Sequence, residues 1–176
     1  MSELLLDVSQ MRETRARLDR TYAASAVVSD HEVYSLVAPI TLGLDVHRDR
    51  DQFRLVGQVT TTFELTCSRC LEKFQTRADE SFDVVFLPHR EDASEADLKI
   101  EDDDLTTTFY RDHVIDLGQL MQEQFYLAVP MKPLCREDCR GLCANCGTNL
   151  NSGACGCTNT WHDPQLEVLR TLLKKD

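Results

Sequence analysis

Residues 53–87 read FRLVGQVTTTFELTCSRCLEKFQTRADESFDVVFL, and this stretch decides the fold class. Its first half alternates Phe53, Leu55, Gly57, Val59, Thr61, Phe63 and Leu65 with a mostly polar set, the period-2 pattern of a half-buried strand. A second strand-forming run extends from Phe74 to Leu87 and contains SFDVVFL. Cys67 and Cys70 fall between the two runs, so the CSRC motif sits at the tip that joins two consecutive strands.

Upstream, the run Val33, Tyr34, Leu36, Val37, Ile40, Leu42, Leu44, Val46 is rich in strand formers and ends at the charged turn HRDRDQ, residues 47–52, which predicts one strand. A short strand is expected over residues 3–8, ELLLDV, and LTTTFY at 105–110 is expected to extend the sheet. Three consecutive strands with short connections imply an antiparallel meander. Helices are expected in three places. Ser9 is a cap for a helix carrying Met11, Leu18 and the arginines Arg12, Arg15, Arg17 and Arg20. Asp116 opens DLGQLMQEQFYLAV, with Leu117, Leu120, Met121 and Gln124 at helical spacing and Gln119 as capping-box partner; the helix stops before Pro130. Met121 and Phe125 read as core residues at this spacing. In DPQLEVLRTLLKK, residues 163–175, Asp163 is a cap, Pro164 takes the first helical position, and Leu166, Leu169, Leu172 and Leu173 share one side. The expected fold is α+β: an antiparallel β-sheet or partial barrel with a few helices and a C-terminal zinc-binding module. Residues 1–130 form the α+β domain, with an acidic flexible loop at about 89–104. Residues 131–176 form a cysteine-rich zinc module and terminal helix, tied to the first part through Cys67 and Cys70.

All eight cysteines fall in pairs: Cys67 and Cys70, Cys135 and Cys139, Cys143 and Cys146, Cys155 and Cys157. Zinc takes four thiolates tetrahedrally, and two ligands per short turn reduce the entropy of closing a site, so four pairs imply two ions. The favoured grouping makes a local site from Cys143, Cys146, Cys155 and Cys157. CANCG is the knuckle type of turn, with Gly147 able to take positive φ, and only eight residues separate Cys146 from Cys155. Cys67, Cys70, Cys135 and Cys139 then form a bridging site across about 65 residues of chain. A competing grouping places Cys135 and Cys139 with Cys155 and Cys157. Arg69, Lys73, Lys132, Arg136 and Arg140 flank the sites, where cations ease the formal −2 of a four-thiolate zinc. The same five are candidate contacts to RNA or a protein partner.

Catalysis finds no template. Four thiolates per ion leave no open position for water, there is no HExxH, and His31, His47, His89, His113 and His162 are dispersed. A thioredoxin-like CxxC opens a helix, whereas CSRC lies between strands. No apolar run spans a bilayer and the N-terminal residues lack a secretory pattern, so a cytoplasmic location is expected. A reducing compartment favours metal binding over disulfides. Of the net charge of −11, the run EDASEADLKIEDDD at 91–104 holds eight acids against one lysine. It reads as a solvated loop, or as a docking segment for a basic protein or a mimic of nucleic-acid phosphates.

The pattern CSRCLEKF, then DLGQLMQEQFYLAVPMKPLC, then CRGLCANCGTNLN, a late CGC and DPQLEVLRTLL resembles the bacterial and plastid YceD family over essentially Leu4 to Leu173. The resemblance implies a role in synthesis, processing or stability of large-subunit ribosomal RNA, with no enzymatic activity. It carries over Cys67, Arg69, Cys70 and Phe74, together with the Pro133–Cys139 segment, and none of these is a catalytic set. The expected function is therefore a non-enzymatic ribosome-biogenesis factor that binds precursor RNA of the large subunit or a basic ribosomal protein, without a membrane or small-molecule substrate. A pI near 4.8 is the wrong footprint for a strong non-specific RNA binder, which puts protein-mediated action slightly ahead. The other hypotheses are a thiol-based redox or zinc sensor and a hydrolase with its site in the β-domain.

Overall fold

The computed structural model describes residues 4–9, 11, 13–89 and 107–157. The elements are β1 (Leu5–Asp7), β2 (Arg15–Tyr22), a 3-10 turn at Ala24–Ala26, β3 (Ser35–Leu36), β4 (Ile40–Asp49), β5 (Gln52–Thr66), β6 (Lys73–Pro88), β7 (Thr107–Tyr110), β8 (Val114–Asp116) and α1 (Leu117–Ala128). The terminal helix expected at 163–175, the acidic run at 91–104, Arg12 and His162 lie outside the described residues.

The main sheet is open, with strand order β2-β4-β5-β6-β7 and β3 paired to β5; β1 and β8 form a separate antiparallel pair. β5 and β6 are the two long strands read from residues 53–87. Their inward positions are closed to water: Phe53, Leu55, Val59, Phe63 and Leu65 on β5, and Ala78, Phe82 and Phe86 on β6. β4 adds Ile40, Leu42, Leu44 and Val46 to the same core. α1 contributes Leu117, Leu120, Met121 and Phe125, so Met121 and Phe125 are core residues at 0 % exposure. Phe63, Tyr34 and Phe125 form a ring cluster, with Tyr34 5.1 Å from Phe63 and Phe63 5.6 Å from Phe125. The strands lie this close because Gly57 has no side chain. A Cβ there would strike the Gly43 carbonyl oxygen and come within 2.8 Å of the Phe82 ring.

Four expectations need correction. The segment after Ser9 is not a helix: residues 15–22 form β2, antiparallel to β4 from Arg15 opposite His47 to Tyr22 opposite Ile40. Its burial alternates, with Ala16 and Leu18 half-buried between exposed Arg15, Arg17 and Asp19. Sheet pairing thus overrides the helical propensity of arginine, and Arg15, Arg17 and Arg20 share no helix face. The run from Val33 to Val46 is two strands, β3 and β4, because Pro39 intervenes. β7 joins the sheet parallel to β6, Val85 opposite Thr107, so it does not continue the antiparallel meander. Gln119 is not a capping-box partner: its amide donates to Glu123 Oε1 at 3.0 Å, while the Asp116 carboxylate alone caps α1, accepting from the Gly118 and Gln119 amides. Among the described residues α1 is the one α-helix, and the sheet does not close into a barrel.

By contact density the chain forms two units, Met1–Leu65 with Phe74–Met131, and Thr66–Lys73 with Lys132–Asp176. The tip between β5 and β6 is therefore part of the second unit, together with the cysteine-rich segment.

Candidate metal centres

Two short turns of the second unit share one backbone design. In CSRCLE, the Leu71 amide donates to the Cys67 carbonyl at 2.9 Å and the Cys67 amide to the Glu72 carbonyl at 2.9 Å. In CANCGT, the Gly147 amide donates to the Cys143 carbonyl at 2.9 Å and the Cys143 amide to the Thr148 carbonyl at 2.8 Å. The residue after the second cysteine takes positive φ in both, 60° at Leu71 and 72° at Gly147. This turn aims two thiols the same way and directs backbone N–H groups at them.

The eight thiols gather into two groups of four, Cys67, Cys70, Cys135 and Cys139, and Cys143, Cys146, Cys155 and Cys157, each with all sulfurs within 4.8 Å of one another. This is the bridging-plus-local grouping, and the interleaved one is not what the chain adopts. In the first group Cys67 Sγ lies 3.8 Å from Cys139 Sγ, and Cys70 Sγ 3.7 Å from Cys135 Sγ. A disulfide would need about 2.05 Å. A tetrahedral four-thiolate shell with metal–sulfur bonds of about 2.3 Å has edges of about 3.8 Å. The donor set thus fits a metal ion at the centre of each group, with no position left open.

Electrostatics points the same way. At Cys67 burial opposes the thiolate, but the amides of Cys135, Cys70 and Arg69 outweigh it and hold the thiol down at about 6. Cys139 is lowered chiefly by the Asn151 amide. Burial and the sulfurs of Cys139, Cys70 and Cys67 push Cys135 up to about 12. At Cys70 the Glu72 amide favours the thiolate, but burial and the Cys67 sulfur prevail and raise it. In the second group Cys146 is held at about 6, first by the Thr148 hydroxyl 3.2 Å away, and Cys143 is lowered by the Cys146 and Asn145 amides. Cys157 is pushed up to about 12, first by the Cys146 sulfur. Each group therefore holds thiols driven to opposite protonation states, because crowded sulfurs cannot all carry charge alone. A divalent cation removes that conflict.

The two groups differ in solvent access. Cys67, Cys70 and Cys139 are 0 %, 3 % and 3 % exposed, whereas Cys146 and Cys157 are exposed.

The basic residues divide into two sets. Arg69 Nη1 donates to the Cys139 carbonyl at 2.9 Å and the Glu137 carbonyl at 3.3 Å, so its guanidinium is committed to the loop that carries Cys139. Arg136 Nη2 donates to Asn151 Oδ1 at 2.7 Å and its Nε lies 3.4 Å from Asp138. Lys73, Lys132 and Arg140 are exposed, and the Arg140 backbone amide donates to Asn151 Oδ1 at 2.8 Å.

Sequence reasoning missed Asn149 and Asn151. Asn151 Nδ2 donates to Cys139 Sγ at 3.3 Å while its Oδ1 accepts from Arg136 and Arg140. Asn149 Nδ2 donates to Glu72 Oε1 at 2.8 Å, and its Oδ1 accepts from the Asn151 amide at 2.9 Å. One asparagine pair thus connects the hairpin after CANCG to the sulfur and the knuckle of the first centre. The signal available was NLN directly after CGT, two turn-forming asparagines two apart. Gly141 completes the approach: at φ 72° its Cα lies so near Arg69 that an added Cβ would be 3.0 Å from the Arg69 carbonyl oxygen.

A family model described as large ribosomal RNA subunit accumulation protein YceD matches residues 55–173. The chain is 28 % identical over 142 residues to the chloroplastic large ribosomal RNA subunit accumulation protein YCED homolog 1 of Zea mays, covering 68 % of this chain and 48 % of that protein. The Arabidopsis thaliana protein of the same name is 26 % identical over 184 residues, covering 89 % of this chain and 53 % of that protein. An uncharacterised protein of Mycobacterium leprae is 32 % identical over 114 residues, covering 64 % and 50 %. The chain thus spans about half the length of the curated relatives it matches. No solved structure matches it significantly.

Proposed function

The chain belongs to the YceD family, and from that premise we propose that it sustains accumulation of large-subunit ribosomal RNA as a non-catalytic binding protein built on two structural zinc centres. The family match, which covers residues 55–173 and so includes all eight cysteines, carries the reading. The metal chemistry supports the non-catalytic part: four protein sulfurs per centre fill a tetrahedral zinc shell, whereas catalytic zinc keeps a position for water or substrate.

Action through a protein partner is better supported than direct grip on RNA. Phosphate neutralisation dominates RNA affinity, and the chain carries −11 overall. The described part of the second unit holds Arg69, Lys73, Lys132, Arg136 and Arg140 against Glu72, Glu137 and Asp138, five cations to three carboxylates. Arg69 and Arg136 are hydrogen-bonded within the unit, and each four-thiolate zinc would add a formal −2. The remaining positive face is small. Basic ribosomal proteins are the complementary class, and opposite charge would speed their encounter.

The test is genetic and chemical. Deleting the gene should lower large-subunit relative to small-subunit ribosomal RNA, and wild-type protein should restore the ratio where Cys67→Ser does not. An unchanged ratio on deletion would overturn the role. Metal analysis of the purified protein should return two zinc ions per chain.

A further inference from the structure

α1 presents two faces. Leu117, Leu120, Met121 and Phe125 are buried in the core, whereas Gln119, Gln122, Glu123 and Tyr126, spaced i, i+3, i+4 and i+7, line a groove of about 990 Å3. The facing wall is Ser25–Val28, which follows β2, and Tyr22 and Val27, 5 % and 4 % exposed, are among its apolar lining residues. Val28 stands 75 % exposed on that wall. Tyr126 is held on the helix side by its hydroxyl, which donates to Asp30 Oδ2 at 3.0 Å.

The groove joins apolar surface to acceptors of one sign. Its carboxylates are Asp116 and Glu123, and among the described residues no lysine, arginine or histidine lines it. Carboxylates there repel nucleic-acid phosphates and anionic lipid headgroups. A second copy of the chain would bring another net negative charge. A small apolar ligand would be poorly enclosed, because Val28 stays three-quarters in water. The chemistry that complements both features is cationic and apolar together.

The geometry points to this groove as the docking site for a basic amphipathic peptide segment of a partner protein. Its apolar side chains lie against Val27, Val28 and Tyr126, and its lysines or arginines reach Glu123 and Asp116. The recognition mode is an amphipathic segment laid into a groove beside a helix, with charge setting orientation and the apolar anchors supplying affinity. This inference rests on the protein-mediated reading above and locates its contact surface.

The experiment uses the full, metal-loaded chain with a photo-crosslinking residue at position 122. The probe is the purified, RNA-free protein mixture of the large ribosomal subunit, with ribosomal RNA offered separately. A crosslink to one or a few basic proteins is expected, weakening as salt rises. It should fall at least tenfold with Glu123→Lys and, separately, with Val28→Glu, while thermal unfolding and metal content stay unchanged. Both positions are solvent-exposed, so neither variant removes core packing. Undiminished protein binding by both variants would overturn the groove and leave the protein-mediated reading standing. Binding of RNA with no ribosomal protein retained would overturn both. Concentration-dependent self-association abolished by the same variants would make a second copy the occupant and overturn the proposal.

Discussion

Leu71 and Gly147 occupy the same place in two turns of one design, yet only one is a glycine. At φ 60° a leucine pays for a left-handed backbone that glycine adopts freely, and the residue is 64 % exposed, so little burial offsets the cost. The left-handed penalty of about 1–2 kcal/mol, less about 0.5–1 kcal/mol for the greater unfolded-state freedom of glycine, predicts that Leu71→Gly is neutral or stabilising. Denaturant unfolding of the metal-loaded protein measures it, and a clear loss of stability would show that Leu71 makes a contact the turn needs. Gly57→Ala is expected to act oppositely and more strongly, costing about 1–3 kcal/mol, because its methyl group must displace β4 backbone and the Phe82 ring together. At Asn151 one side chain serves a sulfur, a guanidinium and a backbone amide. Asn151→Ala should weaken metal binding at the first centre by about 10–100-fold, the usual effect of losing a group that hydrogen-bonds a ligand. Chelator competition at fixed pH reads this directly. The cysteines were legible as candidate ligands because pairing and spacing are local facts. Asn151 was not, since its role exists only once residue 139 and residue 151 are adjacent in space.

At the scale of elements, legibility followed periodicity. β5 and β6 alternate over fifteen and sixteen residues, and α1 shows both its cap and its apolar stripe in sequence. β2 alternates too, but RARLDRTY offers only Ala16, Leu18 and Tyr22 as clearly apolar inward positions. Its identity as a strand depends on the ladder that β4 supplies, a non-local fact. The parallel placement of β7 was equally illegible, because strand direction follows from the connection and not from TTFY itself. β5 and β6 are also linked across the exposed face, where Arg54 Nε and Nη2 lie 2.7 and 2.5 Å from the Asp83 carboxylate. That guanidinium, chiefly through its hydrogen bonds, holds the Asp83 carboxyl below its ordinary value. The native carboxyl binds its proton less readily than the unfolded one. Its stabilisation is therefore present above the unfolded value near 4 and is lost as pH falls through the native one. The pair is solvent-exposed, so the effect should stay within about 1 kcal/mol. Asp83→Asn should accordingly narrow the difference in unfolding free energy between pH 6 and pH 3 by no more than that amount, measured at constant ionic strength.

Across the whole chain, the two proposed zinc centres are chemically alike but unequally protected, and that inequality should govern how the protein loses metal. Each centre gathers four sulfurs within 4.8 Å of one another, so the donor set itself favours neither. What differs is access and support. The first centre buries Cys67, Cys70 and Cys139, and its surroundings bind Cys139 through Asn151 and fix the loop through Arg69 and the Ser68 amide, which donates to the Pro133 carbonyl at 2.8 Å. Opening it requires segments about 65 residues apart in sequence to separate. The second centre exposes Cys146 and Cys157, and its ligands come from one stretch of fifteen residues, 143–157, that can open locally. A strong chelator should therefore release two equivalents of zinc in two phases, the faster from the second centre. Cys146→Ser should abolish the fast phase and leave one ion bound, with the slow phase unchanged. Cys70→Ser should cost far more of the order in residues 132–157, because the strand tip and the segment after Pro133 would then share no metal. Release followed by a zinc-sensitive dye, alongside circular dichroism, separates these outcomes. A single phase with both ions leaving together would mean that the two centres unfold as one unit and that burial at Cys67 and Cys139 gives the first no advantage.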